Sequence, residues 1–295
     1  MSTRFRFCFL FASLMLAGMG PACSQVAIPL PSASEPGQPV HGEHTHPHAL
    51  LRQAHLTRLE ERLSTDQETL RRQCRFVSDI STAPPQNKVV LTFDDGPEPD
   101  QIEYILEVLD KYSIPATFFF IGDKMAQHPD LVAKVQEKKR HLIGSHSWDH
   151  PNFHDIDENA QRSAIMRGLE QMPAGNQARY FRYPYGNSSC FGNDTIHQQG
   201  YHITGWHVDT CDWAFDRNGS VDTHEALSCG VLSQYRHDFV GHVVASLRAR
   251  RGGIVLMHEI HPNTLRQLER LIQEMQADGF TFTSLDDPAM QASMR

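Results

Sequence analysis

The chain has 295 residues, a net charge of −8 and a pI near 6.1. With no basic stripe, that balance excludes a nucleic-acid partner. The length allows one or two domains and suits a single α/β barrel, and a 40% hydrophobic content supplies one sizeable core.

The first segment predicts export. Arg4 and Arg6 precede an apolar run, Phe7 to Met19, too short to span a membrane comfortably. Residues 1–22 are therefore expected to be a signal peptide, and the protein to reach the periplasm or cell envelope. Ala22-Cys23 resembles a bacterial lipoprotein processing site, with Cys23 as the acylated membrane tether; ordinary cleavage near Ala22 is the other reading. Residues 23–48 are rich in Pro and Ser and carry His41, His44, His46 and His48 without apolar periodicity, as a solvated linker does. No later stretch is apolar enough to predict a transmembrane helix.

Leucines at 50, 51, 56, 59, 63 and 70 predict a helix over Ala49–Cys74 with one apolar stripe packed on the main domain, a helical preface that closes at Pro84-Pro85 by residue 85. From 86 to 295 strands and helices alternate. Strands are expected at Lys88–Phe93, Ala116–Ile121, Leu142–Gly144, Arg179–Arg182, Tyr201–Val208, Ile254–Met257 and Phe280–Thr283. Helices are expected at Pro99–Tyr112, Pro129–Lys139, Asp157–Met172 and Asn263–Ala277. An insert, Ala214–Arg251, reads as helical from Phe239. Strands buried on both faces, each followed by a helix, imply a parallel sheet or barrel. Of the six cysteines, Cys74, Cys190, Cys211 and Cys229 fall in the folded part. In an oxidising compartment they allow three pairings, with Cys211 expected to join Cys190 or Cys229.

The chemistry gathers at the strand ends, where parallel β/α barrels carry their sites. Asp94-Asp95 ends the first strand. Then come His146 to His150, Arg182 to Gly186, Asp209 to Trp213, and His258. Two imidazoles four residues apart, on a helical turn or a tight loop, can reach one ion with Asp95 as third ligand, which leaves open positions for catalysis. The same ligand set also suits Fe(II) oxygenases. Adjacent side chains of an extended segment point apart, so Asp94 and Asp95 are expected to divide the work.

Five motifs in order carry a resemblance: TFDDGP at 92–97, HSWDH at 146–150, RYFRYPYG at 179–186, DTCDW at 209–213 and LMH at 256–258. Over residues 86–285 the chain resembles the carbohydrate esterase family 4, or NodB-homology, polysaccharide deacetylases. The resemblance implies an irregular (β/α) barrel of about seven parallel strands behind the N-terminal helix. It implies one divalent ion, usually Zn2+, with Co2+, Mn2+ or Fe2+ as substitutes, held by Asp95, His146 and His150. Asp94 is then the general base and Arg182 its positioner. Tyr185 offers a backbone N–H to the oxyanion, and His258 is the general acid, paired with Asp209. Trp213 and Leu256 wall the acetyl pocket, and Pro184 and Tyr183 complete the sugar contacts. Motif three reads Arg-Tyr-Pro-Tyr where Arg-Pro-Pro-Tyr is usual. The expected substrate is peptidoglycan, with chitin oligomers, poly-N-acetylglucosamine and acetylated xylan as alternatives, and the chain is expected to work as a monomer. An inactive sugar-binding homologue is the competing class.

Overall fold

The computed structural model describes residues 47–76 and 80–294. The signal peptide, Cys8, Cys23 and the linker up to residue 46 lie outside the described residues. In chain order the elements are α1 (Pro47–Ser64), α2 (Gln67–Arg72), β1 (Lys88–Asp94), α3 (Gln101–Tyr112), β2 (Ala116–Phe120), α4 (Gly122–Gln127), α5 (Pro129–Glu137), β3 (Leu142–Ser145), α6 (Glu158–Glu170), β4 (Tyr180–Phe181), α7 (Cys190–Gln198), β5 (His202–Ile203), β6 (Val208–Asp209), α8 (Asp212–Phe215), α9 (Thr223–Cys229), α10 (Phe239–Arg250), β7 (Gly253–His258), α11 (Pro262–Ala277), β8 (Thr281–Phe282) and α12 (Pro288–Ser293).

Every strand pairing is parallel, in the order β5-β4-β3-β2-β1-β7-β6, with β8 added on β1. Seven strands thus form the path of a curled, incompletely closed barrel, as the sequence predicts. After Lys88 every residue of β1 is buried, which parallel strands covered on both faces require. Alternation divides its side chains: Val89, Leu91 and Phe93 pack beneath the helices. Val90 joins Phe119, Tyr180 and Ile254 in the interior. Thr92 and Asp94 share the phase of Val90, so the strand's own period aims Asp94 inward.

The expected strand Tyr201–Val208 is two strands. β5 pairs with β4 at one edge, and β6 pairs with β7 at the other. Residues 204–207 cross between the edges, so apolar content continuous along the chain spans a break in pairing. The expected preface helix also breaks, at Asp66, whose carboxylate caps α2 by accepting the Thr69 N–H at 2.9 Å. Its leucines are unevenly covered: Leu70 is buried, Leu56 and Leu59 are half-buried, and Leu63 is 75% exposed. Among the described side chains of α1, those buried are His55 and Arg58. The insert holds α8 and α9 as well as α10, and α9 opens on a reciprocal Asp222–Glu225 capping box.

Two disulfides staple the fold: Cys211–Cys229, one of the two partners expected for Cys211, and Cys74–Cys190. The first closes the insert, and the second ties the preface to α7. Among the described residues no helix is long and apolar enough to cross a membrane.

Candidate active site

Three acceptor atoms converge beyond the ends of β1 and β3. Asp95 has a φ of 73°, a left-handed conformation that ends the strand and turns its carboxylate back. Asp94 and Asp95, expected to point apart, therefore both approach His146. Its Nε2 lies 3.8 Å from Asp94 Oδ2 and 3.4 Å from Asp95 Oδ1. Positive φ at Ser147 and His150 folds residues 146–150 into a loop, the second of the two expected geometries, and brings His150 Nε2 to 3.2 Å from the same Asp95 oxygen.

His146 Nδ1 donates to the Arg182 carbonyl at 2.8 Å. In the neutral ring this leaves the Nε2 lone pair facing a carboxylate. Burial holds the His150 imidazole down at about 4, so it is neutral near pH 7. Asp95 Oδ1 is buried with no hydrogen-bond donor. Lone pairs directed at one another in a buried space are repulsive unless a cation sits among them, so the residues fit a divalent ion.

The loop carrying both histidines lies on α6 at Gly168. A Cβ there would stand 2.7 Å from the Ser147 carbonyl carbon, a backbone atom that cannot step aside. Gly168→Ala is expected to weaken divalent-ion binding by about tenfold by shifting this support, as measured by calorimetric titration.

Asp94 is held from behind. Arg182, fully buried, donates from Nη1 to Asp94 Oδ1 at 2.8 Å and to Thr92 Oγ1 at 2.7 Å, and from Nη2 to the Gly205 carbonyl at 2.9 Å. The Phe119 ring lies 4.2 Å beneath its guanidinium carbon. Across the sheet Asp94 is the register partner of His258, so the two strand ends present a carboxylate and an imidazole side by side.

A family model for polysaccharide deacetylases matches residues 81–203. A peptidoglycan-N-acetylglucosamine deacetylase of Listeria monocytogenes is 30% identical over 215 residues, 72% of this chain and 41% of that protein. One of Bacillus cereus is 29% identical, over 68% of each chain. The solved Bc1960 peptidoglycan N-acetylglucosamine deacetylase superposes with a TM-score of 0.56 at 26% identity, over 71% of this chain and 90% of that one. A family 4 carbohydrate esterase from Streptomyces lividans, solved with acetate, gives a TM-score of 0.53 at 26% identity, over 70% and 92%. Residues 81–203 thus carry a polysaccharide deacetylase domain, and the chain is similar to family 4 members. It spans about two-fifths of the length of the Listeria relative.

In this chain the partner of His258 is Asp212, which corrects the expected Asp209. Asp212 Oδ1 meets His258 Nδ1 at 2.8 Å, and Oδ2 accepts the His258 backbone N–H at 2.7 Å and the Thr264 hydroxyl at 2.6 Å. Asp209 instead turns its Oδ1 back to the Cys211 N–H at 2.9 Å. The reason is local: Cys211 adopts a left-handed conformation before α8, which carries Asp212 inward. Burial pushes the Asp212 carboxyl up, but the charge and hydrogen bond of His258 reverse this and hold it well below its usual range.

Tyr183 lines the same cavity as Asp94 and His258 but is fully buried: its ring packs edge-on against Phe153 and Phe181, and its hydroxyl donates to Asn193 at 2.9 Å. Pro184 is buried at the start of a short turn in which Tyr185 takes a φ of 57°. The Tyr185 ring stands 4.6 Å from that of His150, edge to face. Leu256 lines the same cavity as Asp94, His146, His150 and His258. Two further residues line it that the motifs do not contain. Trp206 is half-buried there, packed against the interior apolar cluster, and His55 of α1 reaches it from the preface. His55 stacks on Trp213, with ring centroids 4.3 Å apart and planes 7° from parallel. A lone histidine among leucines gave no signal of this.

Proposed function

We propose that this chain is an exported, metal-dependent hydrolase that removes N-acetyl groups from the amino sugars of peptidoglycan. The observation that carries the reading is the convergence of Asp95, His146 and His150 beside Asp94, an acid that Arg182 holds outside the ligand set. Relatives named as peptidoglycan-N-acetylglucosamine deacetylases support the substrate. Export, through the 1–22 signal and with a lipid on Cys23 as tether, agrees with two disulfides in the folded part.

Asp95, His146 and His150 would hold the ion, zinc being the ion proposed for a site of two imidazoles and one carboxylate. When bound it supplies Lewis acidity, which polarises the acetyl carbonyl and acidifies water. Asp94 takes the proton of the attacking water, and Arg182 keeps its Oδ1 occupied so that Oδ2 faces the reaction. The backbone N–H of Tyr185 is the proposed donor to the developing oxyanion, a role worth about 3 kcal/mol. His258, kept charged by Asp212, gives its proton to the leaving nitrogen. Trp213 and Leu256 bound the acetyl group.

Mass spectrometry of isolated peptidoglycan fragments, before and after exposure to the purified chain, tests the reading. One acetyl mass is expected to be lost per modified sugar. A chelator is expected to abolish the change and zinc to restore it. Fragments that keep their mass with metal present would overturn it.

A further inference from the structure

The catalytic groups are covered. Asp94 is 2% exposed, His258 6%, Trp213 3% and Leu256 2%. The cavity lined by Asp94, His258, Leu256 and His55 leaves about 10 Å³, room for about one water. Sites that take small organic ligands offer roughly 300 Å³ or more. What fills the space is α1. The flat face of Trp213, which a sugar or acetyl group would use, is occupied by the parallel His55 ring. The same imidazole stands edge-on to Tyr185, at 6.5 Å.

The way α1 is held differs from the way the rest of the fold is held. Among the described side chains of α1 the buried ones are His55 and Arg58. Near its start the clasp is Arg52, whose Nη2 reaches Asp222 at 2.7 Å and whose Nε reaches Glu225 at 2.9 Å. Towards its end Glu61 pairs with Arg75 at 2.7 Å and lies 3.3 Å from His154 Nδ1, and Arg58 lies over the Phe76 and Trp206 rings. The Ser228 hydroxyl adds a long bond of 3.4 Å to the His55 carbonyl. Arg52 and Asp222 are each more than a third exposed, and an ion pair in that setting contributes little, while the Glu225 carboxylate of the second pair is fully buried and is also held by Arg217. Beyond the break at Asp66, by contrast, Leu70 is buried and Cys74 is covalently joined to Cys190.

We propose that α1 is an inhibitory strap. Docked, its His55 fills the substrate position on Trp213 and shuts the site; turnover requires α1 to leave the Arg52 clasp while Cys74–Cys190 keeps α2 anchored. This rests on the deacetylase reading above.

The test uses the full-length, zinc-loaded chain with Arg52→Glu and, separately, His55→Ala. Acetate release from N-acetylglucosamine oligomers and amide hydrogen exchange over residues 47–64 are both recorded. Arg52→Glu is expected to speed exchange in α1 and to raise kcat/KM by about tenfold, the equivalent of about 1.4 kcal/mol of docking. His55→Ala is expected to raise kcat/KM as well, since it empties the face of Trp213. If His55 instead helps to bind substrate, or α1 is a fixed wall of the groove, both variants will be no faster than wild type, and the strap is overturned. Should no form release acetate, the deacetylase reading fails instead. The strap is then decided by the rate at which a chelator strips zinc: faster from Arg52→Glu upholds it, and equal rates overturn it.

Discussion

Asparagine in place of Asp94 is expected to cut acetate release from N-acetylglucosamine oligomers by about a thousandfold, within the range that a positioned general base contributes. The effect should fall on kcat, because the substituted atom acts on water and not on the sugar. Asn keeps the shape of the side chain and an oxygen for Arg182. The fully buried guanidinium, however, loses its counter-charge while keeping the Thr204 and Gly205 carbonyls. That costs stability, by about 3 kcal/mol for a broken buried pair. Turnover is therefore to be read per folded molecule, below a melting transition measured in parallel. Zinc binding should survive, since Asp95, His146 and His150 are untouched. A variant that binds zinc, remains folded and still turns over at the wild-type rate would remove Asp94 from the base role.

The second large effect is at Asp212. Burial pushes the His258 imidazole down, but the adjacent Asp212 charge and hydrogen bond, with Asp95 and Asp94 beyond, reverse this and hold it up at about 10. The acid proposed to protonate the leaving nitrogen is then present throughout the neutral range, and kcat/KM should fall on the alkaline side near that value. Asp212→Asn removes the largest of the raising influences. The alkaline limb should move towards neutrality, and kcat/KM at pH 7 should drop by about a hundredfold. Asp209→Asn, which disturbs only the Cys211 N–H, should cost less than about threefold. A pH profile of the three proteins distinguishes the two aspartates; an alkaline limb moved by Asp209→Asn and not by Asp212→Asn would reverse the assignment. Stability follows the same sign. A histidine raised above its ordinary value of about 6.5 stabilises the fold fully below that pH, and the contribution is lost as pH climbs through about 10.

The convergence of Asp95, His146 and His150 beside Asp94 was legible because strand ends in a parallel sheet bring separated motifs together by topology alone. Which aspartate of Asp209-Thr210-Cys211-Asp212 reaches His258 was not legible. That choice depends on the left-handed turn at Cys211, and a cysteine there announces no such conformation. The division of Tyr201–Val208 between two sheet edges was hidden for a related reason. Apolar runs report burial, not the partner on either side, and the break falls within a run of similar composition. Tyr183 looked available because it sits beside Tyr185 in a catalytic motif, but the pleat turned its ring to Phe153 and Phe181. His55 lay furthest out of reach. The leucines of α1 suggested an apolar contact face, whereas the described side chains that it buries most deeply are His55 and Arg58, beside a clasp to residues about 170 positions away.

The pairing of Asp94 with His258 across β1 and β7 has one more implication. Their separation is set by the peptide ladder, about 4.8 Å between neighbouring strands, and is stitched at the rim by the Glu259 N–H on the Asp94 carbonyl at 2.9 Å. The span between proton acceptor and proton donor is thus a backbone dimension that no loop has to maintain. Insertions such as 214–251 can grow, shrink or change composition to suit a different glycan while the reacting pair keeps its spacing.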